Sequence, residues 1–226
     1  LWGWAVTKVD AAAPTDFAGS ILVPFPIESA LSGVGRRVAG DEELWYRRVF
    51  QVPSAWRGQR VLLHFGAVDW RARVFVNERE VGTHQGGYDG FSFDVTDALV
   101  AGDNTLRVAL TDPCDGGGQP RGKQVRKPGG IWYTPTTGIW QTVWIEPVPV
   151  AHIRGLKITA DARGAVTVRV DRTDATPTTV NVTALAGDAT VGEAVIDRDN
   201  TATFTLAAPK AWSPSSPFLY DLRVQL

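Results

Sequence analysis

The chain contains no methionine and begins Leu1-Trp-Gly-Trp4. A translated protein starts with methionine, so an excised or processed piece of a longer one is expected. The single cysteine, Cys114, excludes an internal disulfide framework. It sits in a Gly/Asp/Pro loop with no basic residue nearer in sequence than Arg121, so no reactive thiol is expected. No apolar run reaches the roughly 20 residues of a membrane-spanning helix, and no membrane partner is expected. Neither sign of charge dominates: 23 basic side chains face 24 acidic ones. That balance removes the broad cationic field of a nucleic-acid binder, so no nucleic acid is expected as a partner. The histidines His64, His84 and His152 do not pair on one element at metal-ligand spacing, and each reads as structural. P-loop, nucleophile-elbow and zinc signatures are missing, so neither a cofactor nor a metal is expected. Long helical periodicity is missing too, which leaves the core to strands.

What is present is aromatic and alternating. Three of the nine tryptophans lie in Gly129-Gly-Ile-Trp-Tyr-Thr-Pro-Thr-Thr-Gly-Ile-Trp-Gln-Thr-Val-Trp-Ile145. Its first half is loop. Its second half alternates from Ile139 to Ile145, with Trp140, Thr142 and Trp144 opposite Ile139, Gln141, Val143 and Ile145. That period of two predicts one strand covered on both faces. The Trp140/Trp144 face then either covers a domain interface or fills a sandwich interior.

Residues 1 to 40 read as an irregular arm, rich in Gly, Pro, Ala and Ser, with one helical turn near Glu28–Gly33. From Leu44 the strand signals are dense: 44–52, 60–65, 72–77, a short one from Val81, 91–95 and 105–110. Asp112 to Gly130 is loop. Short, evenly spaced strands without helices predict an antiparallel sandwich. After residue 150 aromatics thin out, and six strand candidates follow at 153–160, 165–172, 178–186, 191–196, 200–207 and 218–226. Turns are marked by Gly164, Gly187 and Asp199-Asn200. The expected domains are residues 1–149 and 150–226. An immunoglobulin-type sandwich has about seven strands, so the last strand of the second domain is expected to be missing. An unpaired edge there offers a route to self-association. With hydrophobic residues at 44%, the chain reads as soluble, in cytoplasm or secreted alike.

Candidate chemistry is sparse. Asp69, Asp89, Asp94, Asp112 and Asp115 lie near turns and read as turn or capping residues rather than a glycosidase pair. The segment from Asp112 to Tyr133 is the best functional candidate. Arg121-Gly-Lys-Gln-Val-Arg-Lys127 places four cations in seven residues, next to Trp132 and Tyr133. An aromatic face beside hydrogen-bond donors suits a sugar, whose C–H faces stack and whose hydroxyls accept. Arg121, Lys123, Gln124, Trp132 and Tyr133 are the candidate substrate-binding residues. The bland alternative is a solvated loop with Trp132 covering the core.

Several strings resemble the N-terminal sugar-binding domain of glycoside hydrolase family 2. They are Trp45-Tyr-Arg-Arg-Val-Phe50, Leu63-His-Phe-Gly-Ala-Val-Asp69, His84-Gln-Gly-Gly-Tyr88, Phe91-Ser-Phe-Asp-Val-Thr96, Gly102-Asp-Asn-Thr-Leu106 and Gly138-Ile-Trp140 with Val143-Trp144. Trp212-Ser-Pro214 and Pro217-Phe-Leu-Tyr-Asp-Leu222 resemble the end of that family's second domain. The resemblance implies an all-β fold, a galactose-binding-like jelly-roll sandwich followed by a smaller immunoglobulin-like β-sandwich. It also implies a (β/α)8 catalytic domain in the same parent chain as partner, with carbohydrate as ligand. The family's two catalytic glutamates lie on that barrel, so no catalytic residue carries over, and the chain alone is expected to be inactive. In some β-galactosidases an aspartate about six residues before the Gly-Ile-aromatic motif helps form the sugar and cation site. Here that position is Trp132. A free-standing carbohydrate-binding module and a ligand-free structural sandwich remain the alternatives.

Overall fold

The computed structural model describes residues 1–173, 179–196 and 200–226. By its contacts the chain divides into two units, Leu1–Pro147 and Val148–Leu226.

The first unit is built from β1 (Trp2–Lys8), β2 (Gly19–Ile21), β3 (Glu42–Gln51), β4 (Arg60–Phe65), β5 (Val68–Asp69), β6 (Arg71–Val76), β7 (Arg79–Gln85), β8 (Phe91–Asp94), β9 (Asp103–Thr111), β10 (Gly138–Ile139) and β11 (Val143–Val148). One sheet runs β2-β1-β3-β9-β6-β7; a second runs β11-β4-β8; β10 pairs with β5. Alternation decides which side chains go inside. Val61, Leu63 and Phe65 on β4 and Leu106, Val108 and Leu110 on β9 are buried, and they share one core with Tyr46 and Ile139. Each such side chain contributes roughly 1.5–3 kcal/mol of burial. The architecture is a jelly-roll sandwich.

Two sequence expectations are corrected here. The arm is not irregular throughout: β1 and β2 pair with each other, and β1 also pairs with β3, Val6 opposite Leu44. Trp2-Gly-Trp-Ala-Val-Thr7 does alternate, but its glycine and alanine mask the pattern, and its partner lies some forty residues downstream. Nor do residues 139 to 145 form one strand. The chain leaves β5 after Ile139 and joins β4 at Val143, with Gly66 donating to the Thr142 carbonyl at 2.8 Å in between. Only glycine allows this approach, since a Cβ on Gly66 would lie 2.7 Å from the Gln141 Cβ. The two tryptophans consequently part company. Trp140 is half-buried, whereas Trp144 is 45% exposed on the outer face of its sheet. Trp144 therefore fills no interior, and the outer face is uncovered within this unit.

The second unit comprises β12 (Ile153–Ala160), β13 (Ala165–Arg172), β14 (Val180–Ala186), β15 (Ala189–Ile196), β16 (Thr201–Thr205) and β17 (Asp221–Gln225). Residue 178 of the expected strand and Asp199 of the expected turn lie outside the described residues. Two three-stranded sheets, β12-β13-β16 and β15-β14-β17, close on Val168, Val170, Val182 and Ile196 as an immunoglobulin-like sandwich. The closure is incomplete. Leu156 and Ile158 pair in register with Val170 and Val168 and so face the core side, yet they are 44% and 53% exposed.

Candidate functional site

The segment from Asp112 to Thr137 leaves β9 and returns to β10. It is ordered by its own bonds. Tyr133 donates to the Lys123 carbonyl at 2.8 Å and Val125 to the Tyr133 carbonyl at 3.0 Å, closing residues 121–133 into a loop. Arg121 accepts from the Gln124 backbone at 3.2 Å and Gly129 from Trp132 at 3.1 Å. Positive φ at Gly122 and Gly130, both 59°, allows the turns.

All five sequence-predicted residues lie on this loop, with different tasks. Trp132 and Tyr133 are 42% and 63% exposed, so Trp132 is not core cover. The Lys123 ammonium sits 5.9 Å from the centre of the Tyr133 ring. Arg121 is half-buried and forms no ion pair among the described residues. Gln124 is turned inward, and its Oε1 accepts from the Thr136 N–H. Arg126, another of the four cations, is a clamp. It pairs with Asp115 at 3.3 Å and donates to the Pro113 carbonyl at 2.8 Å.

Sequence reading left out the partners beneath and beside the loop. The Thr137 N–H donates to Glu28 Oε2 at 2.9 Å, and its hydroxyl donates to Asp112 Oδ2 at 3.0 Å. Asp112 Oδ1 accepts from the Cys114 N–H at 2.7 Å. Asp69 packs against Gly87, where a Cβ would stand 2.9 Å from the carboxyl carbon. The Trp140 indole donates to the Gly87 carbonyl at 2.7 Å, and Tyr88 stands edge-on to Trp140 at 6.2 Å. Tyr88 is 52% exposed, and its hydroxyl lies 3.8 Å from where a Gly122 side chain would begin. Tyr88, Lys123 and Tyr133 thus border one rim. The string His84-Gln-Gly-Gly-Tyr88 was the available signal: two glycines before an aromatic mark a close backbone approach.

The electrostatics follow from burial. Asp69 is pushed up to about 7, by burial first and then by the Asp112 and Glu28 charges. Burial also raises Asp112 and Glu28. Cys114 is pushed up to about 11 by burial, with Asp112 and Asp115 adding to it, so a thiolate is disfavoured. Asp112 spends both oxygens on the segment, on the Cys114 N–H and the Thr137 hydroxyl, unlike a glycosidase carboxylate that faces open space. Among the described residues no cluster of His, Cys, Asp and Glu is placed to hold a metal ion. The rim offers aromatic faces, an ammonium and a guanidinium, a set that stacks and hydrogen-bonds a pyranose.

Comparison with known proteins gives concordant matches. The family model "Glycosyl hydrolases family 2, sugar binding domain" matches residues 17–117, and "Glycosyl hydrolases family 2" matches residues 151–226. The chain is 26% identical over 196 residues to a β-galactosidase of Thermoanaerobacter pseudethanolicus, covering 80% of this chain and 26% of that protein. It is 24% identical over 221 residues to a β-glucuronidase of Paenibacillus borealis, covering 90% of this chain and 37% of that one. Among solved structures, a Faecalibacterium prausnitzii β-glucuronidase superposes with a TM-score of 0.75 at 26% identity, over 99% of this chain and 42% of that one. The chain therefore spans well under half the length of these relatives.

Proposed function

From a chain that belongs to glycoside hydrolase family 2, we propose that it is the non-catalytic N-terminal part of an enzyme hydrolysing O-glycosidic bonds of β-glycosides. On this reading a (β/α)8 domain of the same parent chain carries a retaining mechanism. The jelly roll supports it and lends the 121–133 loop to the sugar site. The observation that carries the reading is the pair of exposed rings, Trp132 and Tyr133, held on a loop whose own hydrogen bonds fix its shape. A rigid aromatic binds at a lower entropic cost than a mobile one. Trp132 and Tyr133 stack the sugar, Lys123 and Arg121 hydrogen-bond its hydroxyls, and Gln124 keeps the loop seated.

The experiment for the parent enzyme is sequencing the coding region past Leu226. An alternating strand–helix pattern there supports the barrel, and a stop codon overturns it in favour of a binding module.

Self-association is a second expected partnership. Among the described residues β17 has a hydrogen-bonded neighbour only in β14, and the exposed Leu156 and Ile158 lie on the core-facing side of the other sheet. An edge strand with uncovered apolar neighbours favours strand addition by a second copy.

A further inference from the structure

Three carboxyl groups from three distant parts of the chain converge on the end of one segment. Glu28 follows β2, Asp69 ends β5 and Asp112 follows β9. Glu28 and Asp112 grip the two donors of Thr137, at 2.9 and 3.0 Å. Asp69 lies opposite Gly138, the residue after Thr137, in the β5–β10 pair, and Gln124 accepts from the Thr136 N–H. The segment carrying Trp132 and Tyr133 is therefore anchored at its Thr137 end, where the three carboxyls gather. Asp69 and Asp112 are only 5% and 4% exposed, and their charges act on each other and on Glu28. Three ionised carboxylates beneath one loop repel in a medium that screens poorly.

The neighbours relieve this only in part. Arg126 acts on Asp112 but is paired with Asp115, itself a further negative charge near Asp112. Cys114 and Tyr46 are the buried titratable groups alongside, and both favour their neutral forms. From β7, His84 stacks on Phe91 at 4.0 Å, with its Nε2 3.4 Å from where a Gly86 side chain would begin.

We propose that Glu28, Asp69 and Asp112 act as a proton-linked latch: the 121–137 segment stays seated while one of the three carboxyls is protonated and loosens when all three are ionised. The seated state holds a proton that the loosened, solvated state releases. A raised carboxyl pKa therefore favours seating at low pH, and that preference is lost as pH rises through the seated value. For Asp69 that value is about 7. The inference goes beyond the proposed sugar contact and does not depend on it. A loop that binds sugar but shows no pH step overturns the latch alone.

The test is amide hydrogen exchange of this chain between pH 5.5 and 8.5, corrected for intrinsic exchange and read over residues 121–137. The expected result is at least a tenfold loss of protection as pH rises from 5.5 to about 7, levelling off above that, tenfold corresponding to about one unit of pKa coupling. Amides of β12 and β13 serve as internal controls and stay flat. Asp69→Asn abolishes the step, and His84→Gln leaves it in place. A flat wild-type profile overturns the latch, as does a step that survives Asp69→Asn or vanishes with His84→Gln. If Asp69→Asn fails to seat the loop at any pH, the Asp69 carboxyl carbon is titrated by NMR in the wild type. A midpoint at the pH where the loop step levels off supports the latch, and a carboxyl ionised across the whole range overturns it.

Discussion

The backbone N–H of Thr137 donates to Glu28 at 2.9 Å across 109 residues of chain. That bond ties the N-terminal arm to the last turn before β10, and so links arm and loop into one cooperative piece. Glu28→Ala leaves a buried N–H without its acceptor. The expected cost is about 1–3 kcal/mol, read as a lower urea midpoint for the tryptophan signal. An unchanged midpoint contradicts the tie.

Gly87 is expected to tolerate no side chain. A Cβ there meets the Asp69 carboxyl at 2.9 Å, while the Gly87 carbonyl is held by Trp140. Gly87→Ala should destabilise the first unit by about 1–3 kcal/mol and raise the exposure of Tyr88 to quenchers. Thermal unfolding followed by near-UV circular dichroism checks both.

Trp144 provides the contrast. It lies flat on His64, ring centres 4.8 Å apart, with His64 Nδ1 hydrogen-bonded to Ser92 and its Nε2 3.0 Å from Glu146. Exposed at 45%, it packs on one face only. Trp144→Ala should cost about 0.5–1.5 kcal/mol and leave any sugar titration at the loop unchanged.

Self-association through the second unit predicts a concentration-dependent sedimentation coefficient. Ile158→Lys places a charge among the uncovered core-facing residues and should return the chain to monomer. A monomer at all concentrations in the wild type contradicts the edge-pairing proposal.

Much of the fold was legible in the residues. β4, β12 and β13 match their sequence-predicted limits, and along β4 and β13 buried residues alternate with less buried ones. The failures have physical causes. β1 is defined by a partner far along the chain, and local pattern carries little of that. The break between β10 and β11 depends on Gly66 meeting Gln141, a tertiary contact with no periodic signature. At the site, composition revealed the exposed aromatics and cations. It did not separate Arg126, which clamps, from Arg121 and Lys123, which form no ion pair among the described residues. It also left Asp69 and Asp112 as ordinary turn carboxylates, since their burial arises only when three remote segments converge.

The most direct measurement is a titration of this chain with a panel of monosaccharides and β-glycosides, followed by tryptophan fluorescence and amide shifts. The account predicts saturable shifts confined to residues 121–133 and Tyr88, weakened at least tenfold by Trp132→Ala and by Tyr133→Ala. Saturable binding that maps elsewhere, or that survives both substitutions, contradicts a sugar-facing loop, as does the absence of any shift at millimolar glycoside.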